Sequence, residues 1–211
     1  KLAMEKGACP GTNETKYGLG ITPNQTYKKD VDELVKHKER QNWKELRKNL
    51  KEHGIRNSTL MALMPAETSA QISNSTNGIE PPRGYISIKQ SKHGVLKQVV
   101  PGFPYYKNKY DLLWDQKSPQ GYLKIMAILQ KYIDQGISVN TSYNPEHYED
   151  EKVPMSVLIQ DLLMFYKYGG KQLYYNNTFD GQGEIDINKE DKLPELEAGE
   201  LDDEDCESCK I

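Results

Sequence analysis

Helical and strand-like patterns alternate between residues 122 and 178, and this order constrains the fold more than any other feature. Residues 137–143 and 171–178 form candidate strands, and a helix is predicted between them, with Pro154 in its first turn and Gly169-Gly170 at its end. Another helix is predicted just before Gly136. The apolar stripe of this earlier helix consists of Tyr122, Ile125, Met126, Leu129 and Ile133, and that of the later one of Met155, Leu158, Ile159, Leu162, Leu163 and Tyr166. We expect core packing to explain these stripes, and the alternation favours an α/β layer architecture.

Three upstream segments predict further elements. Residues 28–53 indicate two helical stretches that are interrupted near Asn42 and stopped at Gly54. Within residues 56–64, the run Thr-Leu-Met-Ala-Leu-Met before Pro65 is almost continuously apolar, which is typical of a fully buried strand, and a short helix fits equally well. Residues 84–100 predict two strands joined by a turn at His93-Gly94.

Charge and cysteine content exclude several classes of function. A net charge of −3 with scattered lysines offers no basic patch for nucleic acid. The apolar run at 157–165 is too short and too interrupted to span a bilayer. The chain begins with neither an initiator Met nor an apolar leader, which indicates a processed or excerpted start and gives no support for secretion. Three cysteines are too few for a disulfide framework, so we expect a reducing compartment, the cytosol.

The last thirty or so residues have a composition that does not favour folding. Between Glu184 and Asp205, eleven residues are acidic, two are lysines and none is aromatic. Such a segment buries too little apolar surface to offset the entropy lost on ordering. We therefore divide the chain into a folded portion, 1–180, and a flexible acidic tail, 181–211.

Cys206 and Cys209 stand at C-x-x-C spacing at the end of this tail, and three interpretations are open. The pair is a redox dithiol, half of a zinc site, or an inert terminus. Zinc needs two further ligands that the neighbouring residues do not offer, so we predict no metal site. The acidic neighbours argue against a thioredoxin-type active site, whereas a thiol pair on a mobile tether suits a shuttle between disulfides.

Residues 65–72 form a candidate anion-binding segment at the start of a predicted short helix. Its backbone N–H groups and the hydroxyls of Thr68 and Ser69 suit a phosphate. Ordinary helix capping is the commoner explanation for such residues. Glu67 also opposes an anion unless its carboxylate points away.

Tyr174 and Tyr175 are adjacent in a predicted strand. Paired tyrosines usually serve packing, and strand geometry sends neighbouring side chains to opposite faces. A pair that acts together therefore requires a local twist or a strand end.

Taken together, these segments resemble the large subunit of class I ribonucleotide reductases, particularly the bacterial and T4-like phage type. The resemblance extends from near residue 7 to the last residue. It is carried by Trp43, Leu46, Gly54, Ile55, Arg56, Asn57, Met61, Ala62 and Pro65, and by the run Asn77-Gly78-Ile79-Glu80-Pro81-Pro82-Arg83-Gly84-Tyr85. It implies that ribonucleoside diphosphates are reduced to 2′-deoxyribonucleotides by protein radical chemistry. It also implies a ten-stranded α/β barrel, of which residues 1–180 form the C-terminal part.

The resemblance implies a role for each candidate site. Pro65, Ala66, Glu67, Thr68 and Ser69 would hold the substrate diphosphate through backbone N–H groups and two hydroxyls, since Ala66 and Ala70 replace residues that often bear a hydroxyl. Tyr174 and Tyr175 would relay an oxidising equivalent to a cysteine in the barrel. Cys206 and Cys209 would reduce the active-site disulfide. The family's three catalytic barrel cysteines are not in this chain, and Cys9 falls outside that set.

The same resemblance implies partners that complete the reaction. These are the N-terminal portion of the large subunit, a small subunit with a di-iron tyrosyl-radical centre, and thioredoxin or glutaredoxin as external reductant. The helix at 154–168 would help receive the small subunit's C-terminal tail, and this chain itself would hold no cofactor. Two alternatives are a non-catalytic assembly fragment and a small stand-alone dithiol redox carrier.

Overall fold

A computed structural model describes residues 1–25, 28–35, 39–76, 78–91 and 94–180. The predicted acidic tail, with Cys206 and Cys209, therefore lies outside the described residues. The α-helices are α1 (Leu2–Lys6), α2 (Trp43–His53), α3 (Glu67–Ile72), α4 (Phe103–Tyr106), α5 (Gln120–Gln130) and α6 (Met155–Lys167). The strands are β1 (Ile86–Ser91), β2 (Gly94–Val99), β3 (Val139–Tyr143) and β4 (Leu173–Thr178). Short 3-10 turns cover Thr12–Glu14, Pro23–Gln25, Lys29–Glu33, Lys107–Lys109, Leu113–Asp115, Pro145–His147 and Glu149–Glu151.

The unit β3–α6–β4 confirms the predicted alternation. The two strands run parallel, and α6 forms the crossover between them. β1 and β2 form a separate antiparallel hairpin, as predicted, in which Ile86 pairs with Val99. The α/β class is thus confirmed, whereas the described residues form two separate two-stranded sheets. The ten-stranded barrel stays a prediction for the larger protein.

The core lies where α5 packs against β3 and α6. Leu123 and Val139 are fully buried there, and Phe165 reaches them from α6. The complete cluster of buried residues is Val31, Tyr122, Leu123, Met126, Ala127, Ile133, Ile137, Val139 and Phe165. Most of the predicted stripe of α5 is therefore confirmed, but Ile125 is exposed.

The predicted apolar stripe of α6 does not pack in the core, which corrects the sequence-based expectation. Met155 is 69% exposed, Leu163 59% and Tyr166 63%. The helix instead buries the face that carries Phe165 and the carboxylate of Asp161. Asp161 accepts hydrogen bonds from Gln120 Nε2 at 2.8 Å and from the Tyr143 hydroxyl at 3.0 Å. These donors compensate the cost of burying a charge, and a periodicity of apolar residues does not reveal them.

The strand predicted at 56–64 is also wrong. The segment has no regular secondary structure, and Leu60, Met61 and Met64 are exposed. Two hydrogen bonds tie its backbone to the segment after α5: Leu60 N–H donates to Asp134 Oδ2 at 2.7 Å, and Gln135 N–H donates to the Met61 carbonyl at 3.2 Å. An apolar run becomes a buried strand only when neighbours cover both faces, and none of the described segments does so here.

The predictions for 28–53 are largely confirmed. A 3-10 turn at Lys29–Glu33 precedes α2, which begins after Asn42 and ends at Gly54. Asn42 Oδ1 accepts the Glu45 N–H at 3.1 Å, while Asn42 Nδ2 donates to the Glu45 carboxylate. This reciprocal cap explains why the interruption falls at Asn42. None of the helices in the described ranges has the length and apolar character that a bilayer crossing requires.

Candidate functional site

Tyr174 and Tyr175 lie side by side on β4. Their ring centroids are 4.2 Å apart with an interplanar angle of 53°, and the Tyr175 hydroxyl donates to the Tyr174 hydroxyl at 3.4 Å. Both side chains are about half exposed. The two phenols therefore touch each other and are open to a neighbouring molecule.

A β-bulge explains how adjacent strand residues come together. Val139 pairs with Leu173, but Thr141 pairs with Asn176, so β4 uses one residue more than β3 over this stretch. The extra residue falls at Tyr174 and Tyr175, opposite Asn140. A bulge breaks the strict alternation of side chains, which is the local irregularity that a cooperating pair requires.

Asn140 contacts the bulge directly. Its Oδ1 accepts the backbone N–H of Tyr175 at 3.0 Å, and its Nδ2 donates to Glu80 Oε1 at 2.5 Å. Glu80, Tyr122 and Asn140 line one small pocket, together with Leu113, Gln116, Pro119 and Ser142. Burial, followed by the negative charge of Glu80, raises the pKa of Tyr122 well above its usual value, so this phenol stays protonated.

The candidate phosphate segment lies elsewhere, at the start of α3. The Ala66 carbonyl accepts the Ala70 N–H at 2.7 Å and the Ser69 hydroxyl at 3.3 Å. The N–H groups of the first helical turn have no acceptor within the helix, which leaves them available to an anion. The predicted short helix is thus confirmed, while the side chains of Glu67 and Thr68 lie outside the described ones.

The segment after α3 is tied to the hairpin, because Gln98 Nε2 donates to the Ser75 carbonyl at 3.3 Å. The tyrosine pair lies instead on the β3–β4 sheet. The described members of the predicted site therefore fall into two groups on separate elements: residues 65–69 at the start of α3, and Tyr174 and Tyr175, whose rings are in contact, on β4.

Sequence reasoning missed the part that Glu80 and Asn140 play. Glu80 belongs to the run that carries the family resemblance, but that run implied no role for it. Asn140 is a polar residue in the middle of a predicted strand, and this position is the one signal in the sequence that marks it for attention. In the described ranges no three His, Cys, Asp or Glu side chains come together as a metal ion requires.

The β3–α6–β4 unit, with two parallel strands joined by a crossover helix, places this domain in the α/β class. The family model described as the ribonucleotide reductase barrel domain matches residues 1–176. The chain belongs to the ribonucleotide reductase barrel-domain family.

Similar curated proteins cover the whole of this chain. It is 54% identical to the ribonucleoside-diphosphate reductase 1 subunit alpha of Salmonella typhimurium and 52% identical to that of Escherichia coli. It is 44% identical to the ribonucleoside-diphosphate reductase subunit alpha of Enterobacteria phage T4. In each case the match covers all of this chain but 27% of the relative. The chain therefore spans about a quarter of the length of these relatives.

Proposed function

We propose that this chain is the radical-relay and substrate-phosphate portion of a ribonucleoside-diphosphate reductase large subunit. The observation that carries the proposal is the contact between the phenols of Tyr174 and Tyr175. The reaction replaces the ribose 2′ hydroxyl with hydrogen. It requires the N-terminal portion of the large subunit, which supplies the catalytic cysteines, and the small subunit, which supplies the radical.

The tyrosine pair relays one hydrogen equivalent at a time. An oxidising radical removes an electron and a proton from one phenol, and the resulting phenoxyl takes an electron and a proton from the second phenol. The second phenoxyl then oxidises a barrel cysteine to a thiyl radical in the same way. The 3.4 Å separation of the two hydroxyl oxygens supports this role, because electron and proton both pass between groups in contact.

The start of α3 holds the substrate diphosphate. Residues 65–69 present the first-turn N–H groups, and the dipole of even a short helix favours negative charge at this end. The hydroxyls of Thr68 and Ser69 add donors. Ser69 reaches the Ala66 carbonyl at a long 3.3 Å, a bond that is readily exchanged for one to phosphate.

The acidic tail, 181–211, carries the dithiol shuttle. A thiolate of Cys206 or Cys209 attacks the active-site disulfide, and the second thiol resolves the mixed disulfide, so two electrons enter the site and the tail pair is oxidised. Thioredoxin or glutaredoxin, expected in the cytosol, then reduces the tail disulfide.

The exposed stripe of α6 is the proposed seat of the small subunit's C-terminal tail. Met155, Ile159, Leu162, Leu163 and Tyr166 form a continuous apolar row along one side of the helix. An amphipathic tail segment buries such a row on binding. The di-iron tyrosyl-radical centre belongs to that subunit, and residues 1–180 contribute strands and helices to the barrel.

Tyr175→Phe tests the relay in the assembled reductase. We expect turnover to stop while nucleoside diphosphate binding is unchanged, because phenylalanine preserves the ring contact and removes the O–H. Tyr105→Phe is the matched control, since Tyr105 is also exposed and adjacent to a tyrosine, with ring centroids 6.5 Å apart. Normal turnover by the Tyr175 variant would contradict the relay and leave an assembly role as the better explanation.

A further inference from the structure

At the bulge on β4, the backbone N–H of Tyr175 is bonded by a side chain and not by a carbonyl of the neighbouring strand. Between the Val139–Leu173 pair and the Thr141–Asn176 pair, Tyr174 and Tyr175 of β4 lie opposite the single residue Asn140 of β3. The extra residue of a bulge does not pair in the ladder. The Tyr175 N–H finds its acceptor in the side chain of Asn140, at 3.0 Å. One side-chain oxygen thus replaces the missing backbone carbonyl.

The other end of the Asn140 amide is also held. Its Nδ2 donates to Glu80 Oε1 at 2.5 Å, a short hydrogen bond to a charged acceptor. Glu80 lies in the segment before the hairpin, where the next residues are two prolines and the Pro82 carbonyl accepts the Leu113 N–H at 2.9 Å. The carboxylate therefore has a stiff support. With Nδ2 bound to Glu80, the amide can only present its oxygen to Tyr175.

We infer that Asn140 is a positioning residue of the tyrosine pair and that Glu80 is its anchor. The inference rests on the proposed relay function. Asn140 contacts the backbone of Tyr175 and acts on the phenols through the bulge.

The regular alternative shows what Asn140 prevents. Without the extra residue, Thr141 would pair with Tyr175 instead of Asn176, and neighbouring side chains would point to opposite faces of the sheet. The two phenols would then separate, and the hydrogen equivalent would lose its path. The hydrogen bond from Tyr175 to Asn140 favours the bulged register over the regular one.

Asn140→Leu removes both hydrogen bonds at nearly constant volume. In the assembled reductase we expect kcat to fall about 10- to 100-fold, because displacing a reacting group by about 1 Å costs that much, with KM for the nucleoside diphosphate changed less than about twofold. In the complete large subunit, hydrogen exchange of the Tyr175 amide should become about tenfold faster.

Asn177→Leu is the matched control. Asn177 is also half-buried and also makes a cross-strand side-chain hydrogen bond, from its Nδ2 to Ser142 Oγ at 3.4 Å. It lies beyond the bulge, where the ladder is regular. We expect kcat and the Tyr175 amide exchange of this variant to match the parent protein. Equal effects of the two leucine variants would mean that Asn140 serves the sheet in general, which would overturn the inference.

Exchanging the two side-chain types provides a sharper test. Asn140→Asp alone places two carboxylates in contact and should lower kcat, because like charges repel at this distance. Adding Glu80→Gln supplies an amide donor to the new carboxylate, and the carboxylate still accepts the Tyr175 N–H. Because residues in contact do not act independently, we expect the double variant to return kcat to within about threefold of the parent. Comparing the single Asn140→Asp variant with the double variant tests the inference even if Asn140→Leu does not fold. A double variant whose kcat is no higher than that of Asn140→Asp would overturn the inference.

Failure of this inference differs from failure of the relay. If Tyr175→Phe stops turnover and the Asn140 variants behave like the control, the relay stands and the positioning role falls. If Tyr175→Phe turns over normally, both fall.

Discussion

At the residue scale, Asp134 joins three segments that are far apart in the sequence. It forms an ion pair with Lys16 and accepts a hydrogen bond from the Tyr17 hydroxyl at 2.5 Å and from the Leu60 N–H at 2.7 Å. Burial by itself would raise the pKa of Asp134. The bonds from Lys16, Tyr17 and Leu60 outweigh burial and hold the pKa below its usual value. The charged carboxylate thus ties the N-terminal segment and the 56–64 segment to the end of α5.

This lowered pKa predicts a pH-dependent contribution to stability. A carboxylate with a depressed folded pKa stabilises the protein above its unfolded pKa of about 4, and the contribution is lost as pH falls through the folded value. Asp134→Asn should therefore lower the free energy of unfolding by about 1–3 kcal/mol at neutral pH. It should cost much less once the pH has fallen through the folded pKa of Asp134, because the parent carboxylate is then itself protonated.

Thermal unfolding of the large subunit, measured from about pH 7 down through the acid range in which carboxyl groups titrate, checks this prediction. Asp111→Asn is the control, because Asp111 is exposed. An equal loss for Asp134→Asn at both ends of the range would contradict the proposed charge dependence.

At the element scale, the end of α6 depends on two consecutive glycines with different tasks. Gly169 adopts a φ of 91°, and its N–H donates to the Tyr166 carbonyl, while Gly170 N–H donates to the Phe165 carbonyl at 2.9 Å. These bonds form a Schellman motif, which favours glycine at the left-handed position. Gly170 has a second constraint, because the ring of Phe165 packs against its α-carbon.

Gly170→Ala tests this close approach. A Cβ at position 170 would lie 2.3 Å from ring atoms of Phe165, and Phe165 is part of the buried core. We expect a loss of about 1–3 kcal/mol in the free energy of unfolding, because overpacking displaces the ring or the strand that follows. The shift in the midpoint temperature of thermal unfolding of the large subunit measures this loss of stability.

Gly121→Ala is the opposite case in the same fold. Gly121 lies in α5, and no atom lies within 4 Å of a Cβ added there. Alanine should stabilise this helix by about 0.5–1 kcal/mol. A loss at position 121 as large as that at position 170 would show that steric contact with Phe165 is not the cause.

At the scale of the whole molecule, the proposed dithiol shuttle has to reach two reaction partners. The folded portion holds the tyrosine pair, whereas Cys206 and Cys209 lie beyond the acidic segment. A dithiol that alternates between an internal disulfide and an external reductant needs access to both.

The double variant Cys206→Ser, Cys209→Ser separates chemistry from regeneration. We expect multiple turnover with thioredoxin to stop, because serine does not carry electrons to the active-site disulfide. A pre-reduced enzyme should still complete one turnover. Product formed per enzyme in a single-turnover assay measures this, and Cys9→Ser is the control, since Cys9 is a free thiol in the folded portion. Loss of the first turnover would contradict the shuttle.

Local patterns in the sequence were sufficient to predict α2, the β1–β2 hairpin, α5, β3, α6 and β4. Their signals are short-range: apolar spacing, the cap at Asn42, and stop signals at Gly54 and Gly169-Gly170. The predicted burial was less successful, because most of residues 56–64 and most of the α6 stripe are exposed. Apolar periodicity identifies a face that favours contact, but the elements available to cover it decide whether that face is buried.

The sequence by itself predicted α2, the β1–β2 hairpin, α5 and the β3–α6–β4 unit and, through the family resemblance, which tyrosines to examine. Only the tertiary structure decided that Tyr174 and Tyr175 meet. Their contact depends on the register between β3 and β4, on the side chain of Asn140 from a strand 35 positions away, and on Glu80, 60 positions from Asn140. Such pairings are long-range, and no local propensity encodes the extra residue of a bulge until the partner strand is in place.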